Sequence, residues 1–167
     1  MEIRILKPSD AQKYRELRLE ALQTSPEAFA STFEEEKAYS IETYADRFES
    51  EHSFNFAAFA EEDNLVGMVT LVRANKEKLK HRATILGMYV TPDKRGEGIG
   101  KRLITEAIDK AKAHGGIEQI YLHVVTTNES AVKLYSSIGF TSFGTERHAL
   151  KSADTYYDEE LMVLFLE

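Results

Sequence analysis

Arg95-Gly96-Glu97-Gly98-Ile99-Gly100-Lys101-Arg102 sits at a junction between a strand pattern and a helix pattern, and that junction decides the fold class. Before it, Ala83 to Val90 reads as a strand that Thr91-Pro92-Asp93 stops. After it, Ile99, Leu103, Ile104, Ala107, Ile108 and Ala111 recur at three-four spacing until Gly115-Gly116 ends the helix. A helix opening just after a strand leaves its first amide N–H groups unpaired and presents the positive end of its dipole, so it suits an anion. Glycine at 96, 98 and 100 lets the backbone approach closely, and the left-handed conformations that curl amides into a nest are cheap for glycine alone. Lys94, Arg95, Lys101 and Arg102 add positive charge. Spacing excludes two common phosphate loops. Gly100-Lys101 is followed by Arg102, with no hydroxyl for magnesium, and the glycines run G-x-G-x-G where a dinucleotide turn needs G-x-G-x-x-G.

Downstream, Ile120 to Val125 reads as a strand, Ser130 to Ile138 as a short helix closed by Gly139, and Thr141 to Leu150 and Thr155 to Leu166 as two final strands. Upstream, Ile3 to Lys7 alternates as a first strand. Ser9-Asp10 is expected to cap a helix carrying Tyr14, Leu17, Leu19, Ala21 and Leu22, which Pro26 terminates, and Ser40 to cap a second over Ile41 to Ser50. Thr24 to Tyr39, with Phe29, Phe33 and Glu34-Glu35-Glu36, is long for a structureless loop and is expected to be partly helical or to line a site. Asn55 to Ala60 and Leu65 to Arg73 form a hairpin, and Lys76 to Arg82 is a polar turn. The order β-α-α-β-β-β-α-β-α-β-β predicts an α/β fold with a mixed sheet covered by helices on both faces.

Chain-wide features narrow the functions further. A length of 167 residues suits a single domain over residues 1–167. The chain has no cysteine, which excludes disulfides, thiolate metal sites and a cysteinyl acyl-enzyme and accords with a cytoplasmic location. No apolar run reaches membrane length, and Met-Glu-Ile-Arg-Ile is a strand pattern rather than a signal peptide. A net charge of −7 argues against nucleic acid and mildly favours a cationic substrate, although plain solubility explains it more readily. His52, His81, His114 and His148 form no metal-binding spacing, so no metal is expected.

R-x-x-G-x-G at Arg95 to Gly100, together with Asn128-Glu129-Ser130-Ala131-Val132-Lys133-Leu134-Tyr135 and then Gly139-Phe140, resembles the two signatures of the GCN5-related N-acetyltransferase (GNAT) family. Both lie on matching elements and in matching order between Ile85 and Phe140; the first seventy residues match only the general layout. The resemblance implies a GNAT-like acyl-CoA N-acyltransferase fold, acetyl-CoA as co-substrate and a possible homodimer. It implies that the amides of Arg95, Gly96, Gly98, Ile99, Gly100 and Lys101 hold the diphosphate of the cofactor. Met88 and Val90 would pair with its pantetheine arm where the fourth and fifth strands splay, with Gly87 easing a bulge. Asn128 would reach the pantetheine or order its loop, although an Asn here also suits a simple helix cap. Tyr135 falls where the family places a tyrosine beside the cofactor sulfur, and so is expected to be the general acid.

Acetyl transfer requires a neutral nucleophile, yet an alkylamine with a pKa near ~10.4 is almost wholly protonated at pH 7. His123, between Leu122 and Val124 on the fifth strand, is the best candidate for the base; ribosomal-protein N-terminal acetyltransferases, which this segment resembles, carry glutamate there. Glu34, Glu36, Asp158 and Glu159 are runners-up. Phe29, Glu34 and Tyr157 are candidates to line the acceptor pocket. A backbone N–H near Val90 suits the oxyanion, and without cysteine direct transfer in a ternary complex is the simpler route. The acceptor stays open between a small-molecule amine and a peptide N-terminus, and a non-catalytic acyl-CoA sensor is the competing reading.

Overall fold

The computed structural model, which describes residues 1–167, places strands at Glu2–Ile5 (β1), Ser53–Phe59 (β2), Leu65–Arg73 (β3), Arg82–Val90 (β4), Gln119–Val125 (β5), Thr141–Ser152 (β6) and Thr155–Phe165 (β7). Helices cover Ala11–Thr24 (α1), Phe33–Lys37 (α2), Ile41–Phe48 (α3), Ile99–His114 (α4) and Glu129–Ile138 (α5). The strands form one mixed sheet in the order β1-β2-β3-β4-β5-β7-β6, antiparallel throughout except that β4 and β5 run parallel. That exception follows from α4, the crossover helix that returns the chain to the same end of the sheet. No helix is long and apolar enough to cross a membrane.

The expected order holds with one addition. The connection after α1 contains a 3₁₀ turn at Pro26–Ala28 and the five-residue α2, whose capping box joins Thr32 and Glu35. At α1 the expected capping role of Asp10 is corrected. Its carboxylate takes the Lys7 N–H at 2.8 Å and pairs with Arg4, so it caps the preceding 3₁₀ turn instead of α1.

Alternation divides the core in two. Phe56 and Ala58 of β2 join Ile85, Ile120, Leu122 and Met162 in a cluster with Leu103, Ile104 and Ala107 of α4. Ala57 and Phe59 point the other way and join Tyr14, Leu17, Ala21 and Tyr44 from α1 and α3. Leu103 and Ile104 are fully buried, and each contributes about 1.5–3 kcal/mol of apolar burial. A substitution such as Leu103→Ala is therefore expected to cost about 2–5 kcal/mol.

The sheet opens at its centre. β4 pairs with β5 only from Arg82 to Thr84 against Gln119 to Tyr121; beyond these residues the strands share no register. On its other side β4 slips against β3 between the Thr70–Leu86 and Met68–Tyr89 pairs. Gly87 sits inside this bulge with φ +62°, a conformation strained for any other residue. The bulge turns the end of β4 away from β5 and creates a gap in which backbone groups have no strand partner.

Candidate active site

A cleft of about 590 Å³ begins at the α4 N-terminus and ends beside Phe29. Gly96 and Gly98 have φ +83° and +78°, and a Cβ at either would meet nothing within 4 Å. Their requirement is conformational, and the space over them is open. Gly100 has a different reason: a Cβ there would come within 2.9 Å of Met88 Cε and 3.3 Å of Leu134 Cδ2, so a side chain would push the Met88 end and Leu134 into the cleft wall. The amides of residues 96–101 find no acceptor within the chain; the first bonded one is Arg102, donating to Gly98 O at 3.1 Å. Consecutive free donors at a helix N-terminus, flanked by Lys94 and Lys101, form a site for a multiply charged anion. The expectation for Arg95 is corrected: its amide, expected in the nest, donates to Pro92 O at 3.3 Å, and its side chain does more than add charge. Its Nε donates to Val90 O at 2.9 Å and its guanidinium lies 5.4 Å from the Tyr89 ring, tying the loop to the end of β4.

Met88 and Val90 line the middle of the cleft, with Val125 and Thr127 across the gap. Asn128 caps α5 and lines the cleft as well. Its Oδ1 accepts from the Ala131 N–H at 3.3 Å and the Ser130 hydroxyl at 3.2 Å, which leaves the Nδ2 donors without a partner in the chain. Tyr135 is 6 % exposed and faces the same space from α5. Burial alone pushes its phenol up to about 12, so it remains a protonated donor at neutral pH.

The acceptor-side candidates are more scattered. Phe29 lines the far end of the cleft, whereas Glu34 is exposed on α2 and Tyr157 is half-buried on β7, both away from the cleft wall. His123 projects from the face of β5 opposite Leu122 and Val124, as alternation predicts. It lies off the cleft wall, with Nδ1 3.9 Å from Glu159 Oε2 on the paired strand. Burial pushes the Glu159 carboxyl up, a shift that His123 opposes and Glu146 reinforces. Two runners-up are otherwise engaged. Glu36 is buried, and burial opposes its ionisation; bidentate bonds from Arg18 and the Tyr44 hydroxyl override that and hold it below the usual carboxylate range. Asp158 accepts the His148 N–H at 2.8 Å.

Glu27 is the acidic side chain that lines the cleft, and sequence reading passed over it. It sits on the Pro26–Ala28 turn, where the only local sign was a proline in a long connection, and its placement follows from the packing of that turn against β5. Lys94, expected to add charge beside the loop, lines the cleft, and so does Thr127, which sequence reading had not singled out.

A profile of the acetyltransferase (GNAT) family matches residues 16–140. Spermidine N(1)-acetyltransferase of Vibrio cholerae is 35% identical over 89 residues, covering 52% of this chain and 50% of that protein. N-alpha-acetyltransferase RimI of Mycobacterium tuberculosis is 42% identical over 69 residues, 40% of this chain and 41% of that protein. The chain thus spans half or less of the length of these curated relatives. Among solved structures, YncA from Salmonella typhimurium with its cofactor acetyl-CoA superposes with a TM-score of 0.86 over 100% of this chain and 94% of that one, at 18% identity. At that identity the likeness is one of fold.

Proposed function

The chain belongs to the acetyltransferase (GNAT) family, and from that premise we propose that it transfers an acetyl group from acetyl-CoA to a primary amine of a small molecule, directly within a ternary complex. The observation that carries this reading is the single cleft running from the unpaired amides of residues 96–101, past Met88 and Val90, to the buried phenol of Tyr135. The amides fit a diphosphate. The unpaired inner edges of β4 and β5 fit an amide-bearing arm that adds to a strand. Bound there, acetyl-CoA supplies an acyl carbon activated as a thioester.

Each residue then has a task set by its surroundings. An N–H at the end of β4, that of Val90 rather than of Thr91, which donates to Val66 O on β3, stabilises negative charge developing on the acyl oxygen. Tyr135, kept neutral by burial, donates its proton to the departing sulfur. His123 takes the proton of the amine through water, because its ring stands beyond the strand gap rather than on the cleft wall. Glu27 is the competing base, being already on that wall. A pH–rate profile decides between them: His123→Ala is expected to remove the acidic limb while Glu27→Gln retains it, and the opposite result transfers the role to Glu27.

Protein N-terminal acetylation is the second reading, favoured by the 42% identical segment shared with an N-alpha-acetyltransferase. Measuring CoA release against a panel of small amines and of peptides with free N-termini tests both. Turnover of small amines supports the first reading, and turnover confined to peptides rejects it. Calorimetric CoA binding without turnover of any amine or peptide would instead identify a sensor.

A further inference from the structure

Arg18 on α1 carries a positive charge that the chemistry above does not use. Its Nε and Nη2 grip the Glu36 carboxylate at 2.8–3.1 Å, a forked pairing that fixes the plane of the guanidinium. The remaining nitrogen, Nη1, is inaccessible to solvent and has no hydrogen-bond partner. Buried donors are normally satisfied, so an unpaired guanidinium nitrogen points to a partner supplied from outside the chain.

Its position suggests where that partner comes from. A Cβ built on Gly87, in the bulge where β4 leaves β5, would lie 3.7 Å from Nη1. The guanidinium carbon stacks 4.7 Å from the ring of Phe29, and Phe29 lines the far end of the cleft. Nη1 therefore lies behind one aromatic ring from the cleft, at the point where the strands part. Phe29 directly follows the short Pro26–Ala28 turn, and uncovering Nη1 requires its ring or this connection to shift. The opposite side of the strand gap is acidic: Glu159 pairs in register with Val125, a residue of the cleft wall, and Glu146 pairs with Glu159. The acceptor region thus carries a cationic donor on the α1 side and carboxylates on the β7 side.

We propose that the acceptor carries a carboxylate beside its amine, as an amino acid does, and that Arg18 Nη1 binds this carboxylate at the Gly87 bulge once Phe29 moves aside. The proposal rests on the acetyl-transfer reading and narrows it. A diamine offers nothing to Nη1 and leaves the donor unsatisfied, whereas a carboxylate satisfies it with a charge-assisted bond. Glu36, by occupying the other two nitrogens, aims the free one.

The test compares the unmodified protein on free amino acids, the amides of the same amino acids, and simple diamines, following CoA release. A kcat/KM at least about 100-fold higher for a free amino acid than for its amide is expected, comparable to the loss of a charged hydrogen bond worth up to about 3 kcal/mol. Arg18→Lys, which keeps the charge but loses the fork, is expected to reduce that ratio at least tenfold, chiefly through KM. Amides or diamines turned over as well as free amino acids overturn the proposal while leaving acetyl transfer intact. Failure of every amino acid, amide and diamine to release CoA rejects the small-molecule acetyl-transfer reading and this proposal with it. A ratio unchanged in folded Arg18→Lys protein removes Arg18 from the role.

Discussion

The donor end of the cleft and the acceptor end are built by different physical means. Between Ile85 and Tyr135 the site consists mainly of backbone: amides freed by a helix start, strand edges freed by a bulge, and glycines that make both conformations accessible. Before Asn55 and after Thr141 it consists of side chains brought together from distant elements, such as Arg18 with Glu36, or Glu159 reaching back to His123 of β5. Backbone sites depend on local conformation, which a few consecutive residues can specify. Side-chain sites depend on packing and change with any one of their contributors.

The sharpest way to break this contrast is to damage the acceptor end and look for an effect on the donor end. Glu36→Ala leaves Arg18 buried and uncompensated, and is expected to cost about 3–5 kcal/mol of stability. In the fraction that remains folded, CoA affinity by calorimetry should stay within about twofold, since no residue of the amide nest touches this pair. The pair also sets an acid limit. Glu36 has a depressed folded pKa, so its contribution is present above the ordinary glutamate value of about 4.3 and is lost as pH falls through the lower folded value. Thermal melts of the unmodified protein should therefore fall below about pH 4 more steeply than those of Glu36→Gln.

Tyr135→Phe tests the point where the two ends meet. Removing the only proton donor proposed for the leaving sulfur is expected to lower kcat roughly 100-fold with little change in CoA affinity. The phenol of Tyr135 makes no bond that stability needs, its raised pKa having no cause but burial. An unchanged rate and pH profile would end its assignment as general acid. Gly98→Val sharpens the donor side alone. A β-branched residue at φ +78° costs about 2 kcal/mol or more, and the loop is expected to relax out of the nest, weakening CoA binding by roughly 30-fold.

The same contrast explains which features the sequence made legible. The α4 start, its glycine turn and the α5 cap follow from residues adjacent in the chain, and strands β2 to β5 emerged within one or two residues of their observed ends. The connection from Thr24 to Tyr39 was legible as partly helical, but the bounds of α2 within it were not. Five residues are too few for a 3.6-residue period, and the sign that was present, Thr32 three residues before Glu35, is a cap without an apolar run behind it. Within Glu34-Glu35-Glu36 nothing local marks Glu36 as the buried one; Arg18, eighteen residues earlier, makes that choice. Glu27 and the unpaired Nη1 of Arg18 were hidden for the same reason, since both acquire meaning only when the 26–28 turn packs against β5. His123 is the instructive intermediate. Alternation correctly placed it on the outer face of β5, but not at which distance from the cleft, because direction is a property of the strand and distance is a property of the sheet.

Asn128 gives the smallest expected effect and the finest test, because it belongs to both descriptions. Its Oδ1 caps α5 while its Nδ2 is free beside the cleft, so one side chain does a local job and a binding job through different atoms. Asn128→Asp keeps the cap, since a carboxylate accepts the Ala131 N–H at least as well, and it replaces the free donors with an acceptor. Asn128→Ala removes both and is expected to lower stability by about 1 kcal/mol. If the donors serve the cofactor arm, Asp and Ala should weaken CoA binding alike, by roughly five- to tenfold for a single lost hydrogen bond, while only Ala lowers the melting temperature. Should Asp bind CoA as tightly as Asn, the residue is a cap alone, and the boundary between local and assembled features moves to the far side of α5.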